Sequence, residues 1–127
     1  MSIKPLLTGI VCVLFCSNTL YGQNIEITGP DKKITLRFNL ERGRPVYSVN
    51  YDGKLLLEKS PLGLITNVSD LSSGLKVISQ KDSIITKTYN ENRIKKSQVN
   101  YVANEKIISL ETANKDRLDI IFRISNN

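Results

Sequence analysis

Apolar and polar residues alternate through much of this chain. Ile34, Leu36, Phe38 and Leu40 are separated by Thr35, Arg37 and Asn39, the period of two that lays one face of a strand on a core and the other in water. Ile25 and Ile27 flank Glu26 in a shorter strand, and Gly29-Pro30-Asp31 turns the chain between the two. Glu41 to Pro45 reads as a loop in which Gly43 is free to take positive φ and Pro45 ends the turn. In VYSVNYDGKLLLEKSPLGL (Val46 to Leu64), Tyr47, Val49 and Tyr51 share one face of a strand. Asp52-Gly53 then makes a two-residue turn whose twist matches that of the flanking strands. The implied register sets Tyr51 opposite Lys54, Val49 opposite Leu56 and Tyr47 opposite Glu58, with Asn50–Leu55 and Ser48–Leu57 on the other face. Neither face is wholly polar, so this pair is expected to pack partly on both sides. Ser60-Pro61 imposes an extended backbone. Leu62 to Ile65 is predicted to continue as a strand, with Gly63 permitting close backbone approach.

Beyond a polar loop from Ser69 to Gly74, apolar runs recur at Leu75 to Ile78, Ile84-Ile85, Val99 to Val102 and Ile107 to Leu110, then at Leu118, Ile120, Phe122 and Ile124. No window carries a helical period. Many short strands punctuated by Gly, Pro, Asn and Asp predict an all-β fold, an antiparallel β-sandwich. The strand from Leu118 to Ile124 needs neighbours on its edges, and the Asn126-Asn127 that follows reads as the start of a turn. The sandwich is therefore expected to be incomplete at its C-terminal end.

The first residues follow a different rule. Lys4 precedes a nearly continuous apolar run from Leu6 to Phe15, and small or polar residues follow at Ser17-Asn18-Thr19 and Gly22-Gln23. That order is the order of a secretory signal peptide, here residues 1–23, with cleavage near Gly22 or Gln23. The run is shorter than the roughly 20 apolar residues that span a bilayer, so no stable membrane anchor is expected. Both cysteines, Cys12 and Cys16, fall in this segment, behind Val11 and Phe15. Neither has the small preceding residue that lipidation needs. The remaining chain has no disulfide, thiolate ligand or thiol nucleophile, which suits a bacterial periplasm or secretion without disulfide staples. In that setting Asn67-Val68-Ser69 is a chance match to a glycosylation sequon.

Charge changes the picture little. Lys and Arg number 18 against 12 acids, and loss of Lys4 leaves 17 against 12, or +5. The basic residues are scattered, and Arg93-Ile94-Lys95-Lys96, their densest run, reads as a solvated loop or strand edge. No nucleic-acid partner is expected. Chemistry is sparse as well. The absence of histidine removes Ser-His and Cys-His relays and every histidine metal site. Two carboxylates could still meet in space for glycosidase work, but spacing prefers no pair, and Glu58, Glu91, Glu105 and Glu111 read as surface acids. There is no tryptophan to stack on a sugar. Tyr47 and Tyr51, at i and i+4 on a strand, are the candidate sugar contacts, with packing the favoured role.

The ordered series of these pieces resembles the N-terminal domain of glycoside hydrolase family 97. It begins with Pro30-Asp31, Lys33 and the Ile34 to Leu40 strand, and continues through Tyr47-Ser48-Val49-Asn50-Tyr51, Asp52-Gly53-Lys54 and Ser60-Pro61-Leu62-Gly63-Leu64. It runs on through Ile85-Thr86-Lys87-Thr88-Tyr89 with Arg93 to Lys96, Asn100-Tyr101 with Asn104-Glu105, and Arg117 to Arg123. The resemblance implies exported bacterial α-glucosidases and α-galactosidases acting on oligosaccharide substrates. It also implies a partial β-super-sandwich of the galactose-mutarotase-like kind, followed in the same polypeptide by a catalytic (β/α)8 barrel. The family's catalytic carboxylates and calcium-binding glutamates would lie mostly in that barrel, so no residue here takes a catalytic, cofactor or metal role. Calcium is implied for the intact enzyme alone. The alternative is a stand-alone periplasmic carbohydrate-binding or assembly module.

Overall fold

The computed structural model describes residues 23–90 and 98–126. All but Gln23 of the signal-peptide reading of residues 1–23, both cysteines, Glu91 and the basic run from Arg93 to Lys96 lie outside the described residues. Two antiparallel sheets make up the rest. β1 (Ile25–Thr28), β2 (Ile34–Glu41), β3 (Arg44–Tyr51) and β4 (Lys54–Pro61) form a four-stranded meander in sequence order. β5 (Lys76–Asn90), β6 (Gln98–Glu111) and β7 (Arg117–Ser125) form the second sheet, also in order. No helix occurs among the described residues, as the unbroken period of two predicts.

Turn chemistry closes the first sheet tightly. Arg42-Gly43 (φ 53 and 77) and Asp52-Gly53 (φ 48 and 76) put both central residues at positive φ, the two-residue geometry that suits right-twisted hairpins. The expected loop from Glu41 to Pro45 thus shrinks to two residues, and Glu41 already pairs with Arg44 across the turn. The Asp52-Gly53 turn stands as predicted, but the register beyond it does not. Tyr51 faces Lys54 and Asn50 faces Leu55, after which Val49 meets Leu57 and Tyr47 meets Ser60. Two bulges in β4 absorb the difference, leaving Leu56 unpaired, because an extra residue on one strand shifts every later pair by one. The expectation that this hairpin packs on both sides also fails: Leu55, Leu56 and Leu57 are all exposed, Leu56 at 70%.

Leu62 to Ile65 does not continue the strand. β4 ends at Pro61, and the next backbone bonds run instead from Leu62 N–H to the Pro45 carbonyl (2.8 Å) and from Leu71 N–H to the Leu64 carbonyl (2.7 Å). In the second sheet the separate short runs fuse. Leu75–Ile78 and Ile84-Ile85 become one strand of 15 residues, and Val99–Val102 and Ile107–Leu110 one of 14. The polar stretches between them stay in the ladder because a solvent-facing strand needs backbone pairing and not apolar side chains.

The core lies between the sheets. Ile25, Ile27, Leu36 and Phe38 from the first sheet meet Ile108, Leu110 and Ile124 from the second, and Leu71 and Leu75 plug it from the connecting loop. Phe38 is fully buried and tilts against Phe122 at 5.9 Å between ring centroids. Each such side chain contributes roughly 1.5–3 kcal/mol relative to an exposed one. β4 and β5 add nothing to the fully buried set, so the sheets overlap over β1–β3 and β6–β7 while the outer strands stand in solvent. The packed sheets meet the sandwich expectation.

Candidate functional site

The two candidate sugar contacts part company. Tyr47 is half-buried and packs toward the core, its ring centroid 6.1 Å from that of Phe122. Tyr51 sits four residues on, at the end of β3 beside the Asp52-Gly53 turn, and is exposed. The two thus differ in exposure along one face of the same strand.

Among the described residues four acids pair with a base directly across the sheets. Glu26–Arg37, Asp82–Lys106, Glu105–Arg123 and Glu111–Arg117 are each directly opposite partners in the ladders, and each closes into an ion pair. Opposite charges in register stabilise a strand pair. Glu105 accepts from Arg123 Nε at 2.9 Å and from Ser83 Oγ at 3.1 Å. The Arg123 bond, ahead of the Ser83 bond, holds the Glu105 carboxyl below its usual range and raises the guanidinium of Arg123 in turn. Glu111 corrects the surface reading: it is only 5% exposed. It is tolerated there because Lys115 Nζ (3.1 Å) and Arg117 Nε (3.3 Å) both donate to it, the Lys115 bond doing most to lower its pKa against the opposing effect of burial. Glu58 is exposed, as expected. No group of three or more His, Cys, Asp or Glu side chains converges on a metal-sized site among the described residues. These ion pairs hold strands together.

Open clefts flank the sandwich among the described residues, and two bear on the segments discussed above. One, of about 580 Å³, runs between β1 and β5–β6 and is lined by Glu26, Thr28, Ser83, Ile84 and Asn104 among others. Its floor is structural, with Asn104 Nδ2 donating to the Thr28 carbonyl at 2.7 Å across the two sheets. The other, of about 530 Å³, lies on the Ser60-Pro61-Leu62-Gly63-Leu64 segment and is lined by Arg44, Pro61, Gly63, Ile65, Asp70 and Ser72. Here the predicted close approach at Gly63 is real: a Cβ on it would stand 2.8 Å from both Cα and Cβ of Ser72.

The loop that Gly63 admits is held at many points. The Thr66 N–H and hydroxyl donate to the Ser69 carbonyl (2.9 and 3.0 Å), and Thr66 Oγ1 accepts from the Ser69 N–H at 3.0 Å. Asp70 Oδ1 caps the Ser72 N–H at 2.9 Å, and the Ser72 hydroxyl, its strongest influence, keeps the Asp70 carboxyl below its usual range. Ser69 Oγ donates to Asp116 Oδ2 at 2.8 Å, tying the loop to the β6–β7 turn. Leu75 N–H bonds the Gly43 carbonyl at 3.0 Å. Sequence reading missed Leu71 and Leu75 as core residues. The available signal was the pair of leucines bracketing a polar run, which periodicity alone cannot place.

This chain matches the family model for the glycosyl-hydrolase 97 N-terminal domain over residues 27–127. It belongs to that family. The likeness extends to solved structures. A crystal structure of a beta-arabinopyranosidase is 42% identical, with a TM-score of 0.75 over 83% of this chain and 17% of that one. A family 97 enzyme from Pseudoalteromonas sp. strain K8, solved with panose and with acarbose, is 17% identical and superposes with a TM-score of 0.67 over 80% of this chain and 15% of that one. At that identity it shows the fold alone. No curated protein matches the chain. The family 97 domain described here spans only about a sixth of the length of these solved relatives. It is the non-catalytic N-terminal part.

Proposed function

We propose that this chain serves as the accessory front sandwich of an exported glycoside hydrolase, whose intact form cleaves arabinopyranosides or the closely related galactopyranosides. The observation that carries the reading is the 42% identity to a beta-arabinopyranosidase, far above the 17% shared with the enzyme solved with panose and acarbose. Chemistry makes the two sugars one class: β-L-arabinopyranose is α-D-galactopyranose without its exocyclic hydroxymethyl group. On this reading residues 1–23 are removed on export to the periplasm or medium. Residues 24–127 form the first portion of a larger sandwich, and a (β/α)8 barrel elsewhere in the polypeptide supplies two carboxylates. Calcium, which the family resemblance implies for the intact enzyme, would belong to that barrel on this reading.

The test grafts residues 27–127 in place of the aligned segment of the beta-arabinopyranosidase and assays p-nitrophenyl β-L-arabinopyranoside, α-D-galactopyranoside and α-D-glucopyranoside. Retained hydrolysis of the first by the chimera, with none by the purified chain alone, is expected. Hydrolysis by the chain alone, or an inactive chimera, would overturn the reading.

A further inference from the structure

Where an arginine of the described chain faces an acid across a ladder, it closes on that acid, with one exception. Arg37 faces Glu26, Arg117 faces Glu111 and Arg123 faces Glu105, and each pair is an ion pair. Arg44 also has an acid directly opposite, Glu41, yet the Glu41 carboxylate turns to Lys59 instead. Arg42 stands two residues back, on the turn between the same strands. Among the described residues neither Arg42 nor Arg44 makes a side-chain hydrogen bond or ion pair, and both are exposed. A guanidinium without its cross-strand acid keeps a planar fork of donors open, the shape that matches a carboxylate in two places at once.

The two arginines line one open cleft of about 790 Å³, together with Glu41, Val46, Pro61 and Ser73. Through Arg44, Pro61 and Ser73 it continues into the cleft at Gly63 and Asp70. The backbone that carries the arginines is held from both sides. Gly43, at φ 77, lies so close to Gly74 that a Cβ on it would stand 3.0 Å from the Gly74 nitrogen and Cα. Its carbonyl accepts from the Leu75 N–H at 3.0 Å, and the Pro45 carbonyl accepts from the Leu62 N–H at 2.8 Å. Donors mounted on a fixed turn lose less freedom when a ligand arrives, and pre-organisation of this kind raises affinity.

The surroundings select among anions. Arg42, Arg44 and Lys59 stand against two carboxylates, Glu41 and Asp70, which leaves a single net positive charge. That balance suits one carboxylate and disfavours a polyphosphate, whose extra charges would meet Glu41 and Asp70. The Ser73 hydroxyl, which bonds no other described group, is free to donate or accept. Val46 and Pro61 add apolar carbon to the same wall. One negative charge, hydroxyls and a C–H face together describe a pyranose ring with a carboxylate. We propose that the Arg42–Arg44 cleft binds an acidic sugar, a hexuronate whose carboxylate is held by the two guanidinium groups while its hydroxyls meet Ser73 and Glu41. The inference goes beyond the accessory-domain reading and does not rest on it, because this chain supplies every part of the site.

Titration of the purified chain with D-glucuronate and D-galacturonate at fixed ionic strength, followed through the arginine Nε–H signals by NMR, tests this directly. Saturable shifts of the Arg42 and Arg44 signals are expected, with those of Arg37, Arg117 and Arg123 unmoved. D-Galactose, which carries a hydroxymethyl group in place of the carboxylate, is expected to bind at least about tenfold more weakly, because the charge-assisted bonds are lost. Arg42→Gln and Arg44→Gln are each expected to weaken uronate binding by about tenfold or more, while Arg37→Gln leaves it unchanged. Melting of the Arg42 and Arg44 variants should match that of the unaltered chain, since both side chains are exposed, and that control separates a lost site from lost folding. Inorganic phosphate or acetate binding as tightly as the uronates overturns the sugar in favour of a plain anion site. Galactose binding as tightly shows that the arginines do not read a carboxylate, and overturns it as well. So does the absence of saturable shifts, or binding that survives both substitutions. The chain is titrated alone, so each of these results leaves the accessory-domain reading to be decided by the chimera.

Discussion

Gly63→Ala separates two physical effects by sign. A Cβ there would stand 2.8 Å from Ser72 Cα and Cβ, and 3.6 Å from the Leu71 carbonyl oxygen. Carbon atoms settle at about 3.5–4.0 Å, so the intrusion is large, and one of the atoms met is backbone that no rotamer change can move. Relief requires the two arms of the loop to spread against the Leu71–Leu64 and Leu62–Pro45 bonds, at 2.7 and 2.8 Å. Overpacking of this kind costs about 1–3 kcal/mol. Gly63 is not among the positive-φ residues, so backbone conformation adds no penalty. With no clash, alanine would stabilise by about 0.4–1 kcal/mol through a less flexible unfolded chain. The sum is a net loss of about 1–2 kcal/mol, or several degrees in melting temperature at roughly 4–8 °C per kcal/mol for a domain of this size. Equilibrium urea unfolding and calorimetry of the purified chain measure it. A neutral or stabilising Gly63→Ala would refute the close approach, and with it the account of why this position in the Ser-Pro-Leu-Gly-Leu segment is glycine.

Three further outcomes are expected. Phe38→Ala empties the fully buried contact with Phe122 and should cost about 3–5 kcal/mol in urea unfolding; less than about 1 kcal/mol would mean the core is not formed as described. Tyr51→Ala should leave stability within about 0.5 kcal/mol, whereas Tyr47→Ala, which strips a ring from Phe122, should lower it measurably. Calorimetric titration with oligosaccharides then decides a sugar role for Tyr51, because saturable binding unchanged by Tyr51→Ala removes it. The Glu105 and Glu111 carboxyls are held below the ordinary value of 4.5 in the folded protein, by Arg123 and Lys115 respectively. Their stabilisation is present above 4.5 and lost as pH falls through the lower folded values. Melting temperature should therefore decline as pH drops below 4.5, more shallowly in Glu105→Gln; an identical slope in the variant would count against the Arg123 pairing.

Local rules in the sequence determined the strands of the first sheet, the antiparallel pairing and the family. The alternation of Ile34 to Leu40 forces a one-sided strand, and Asp52-Gly53 forces the hairpin after it, because side-chain period and positive φ are properties of a few neighbouring residues. The ordered motifs from Pro30 to Arg123 sufficed for the family assignment, which the match over residues 27–127 bears out. Cross-strand ion pairs were legible in principle, since a β6–β7 hairpin aligned about its turn sets Glu105 opposite Arg123 and Glu111 opposite Arg117. Only the tertiary structure decided the rest. Whether β4 keeps register with β3 depends on what lies over Leu56, and local pattern cannot say that a bulge will leave it in water. Glu111 is buried and Glu58 exposed although both end or interrupt apolar runs, because burial is set by which sheet overlaps which. The loop from Pro61 to Leu75 reads as apolar strand followed by polar linker. It becomes a locked projection only because Leu71 and Leu75 find the gap between two sheets, a long-range packing event that no window of sequence contains.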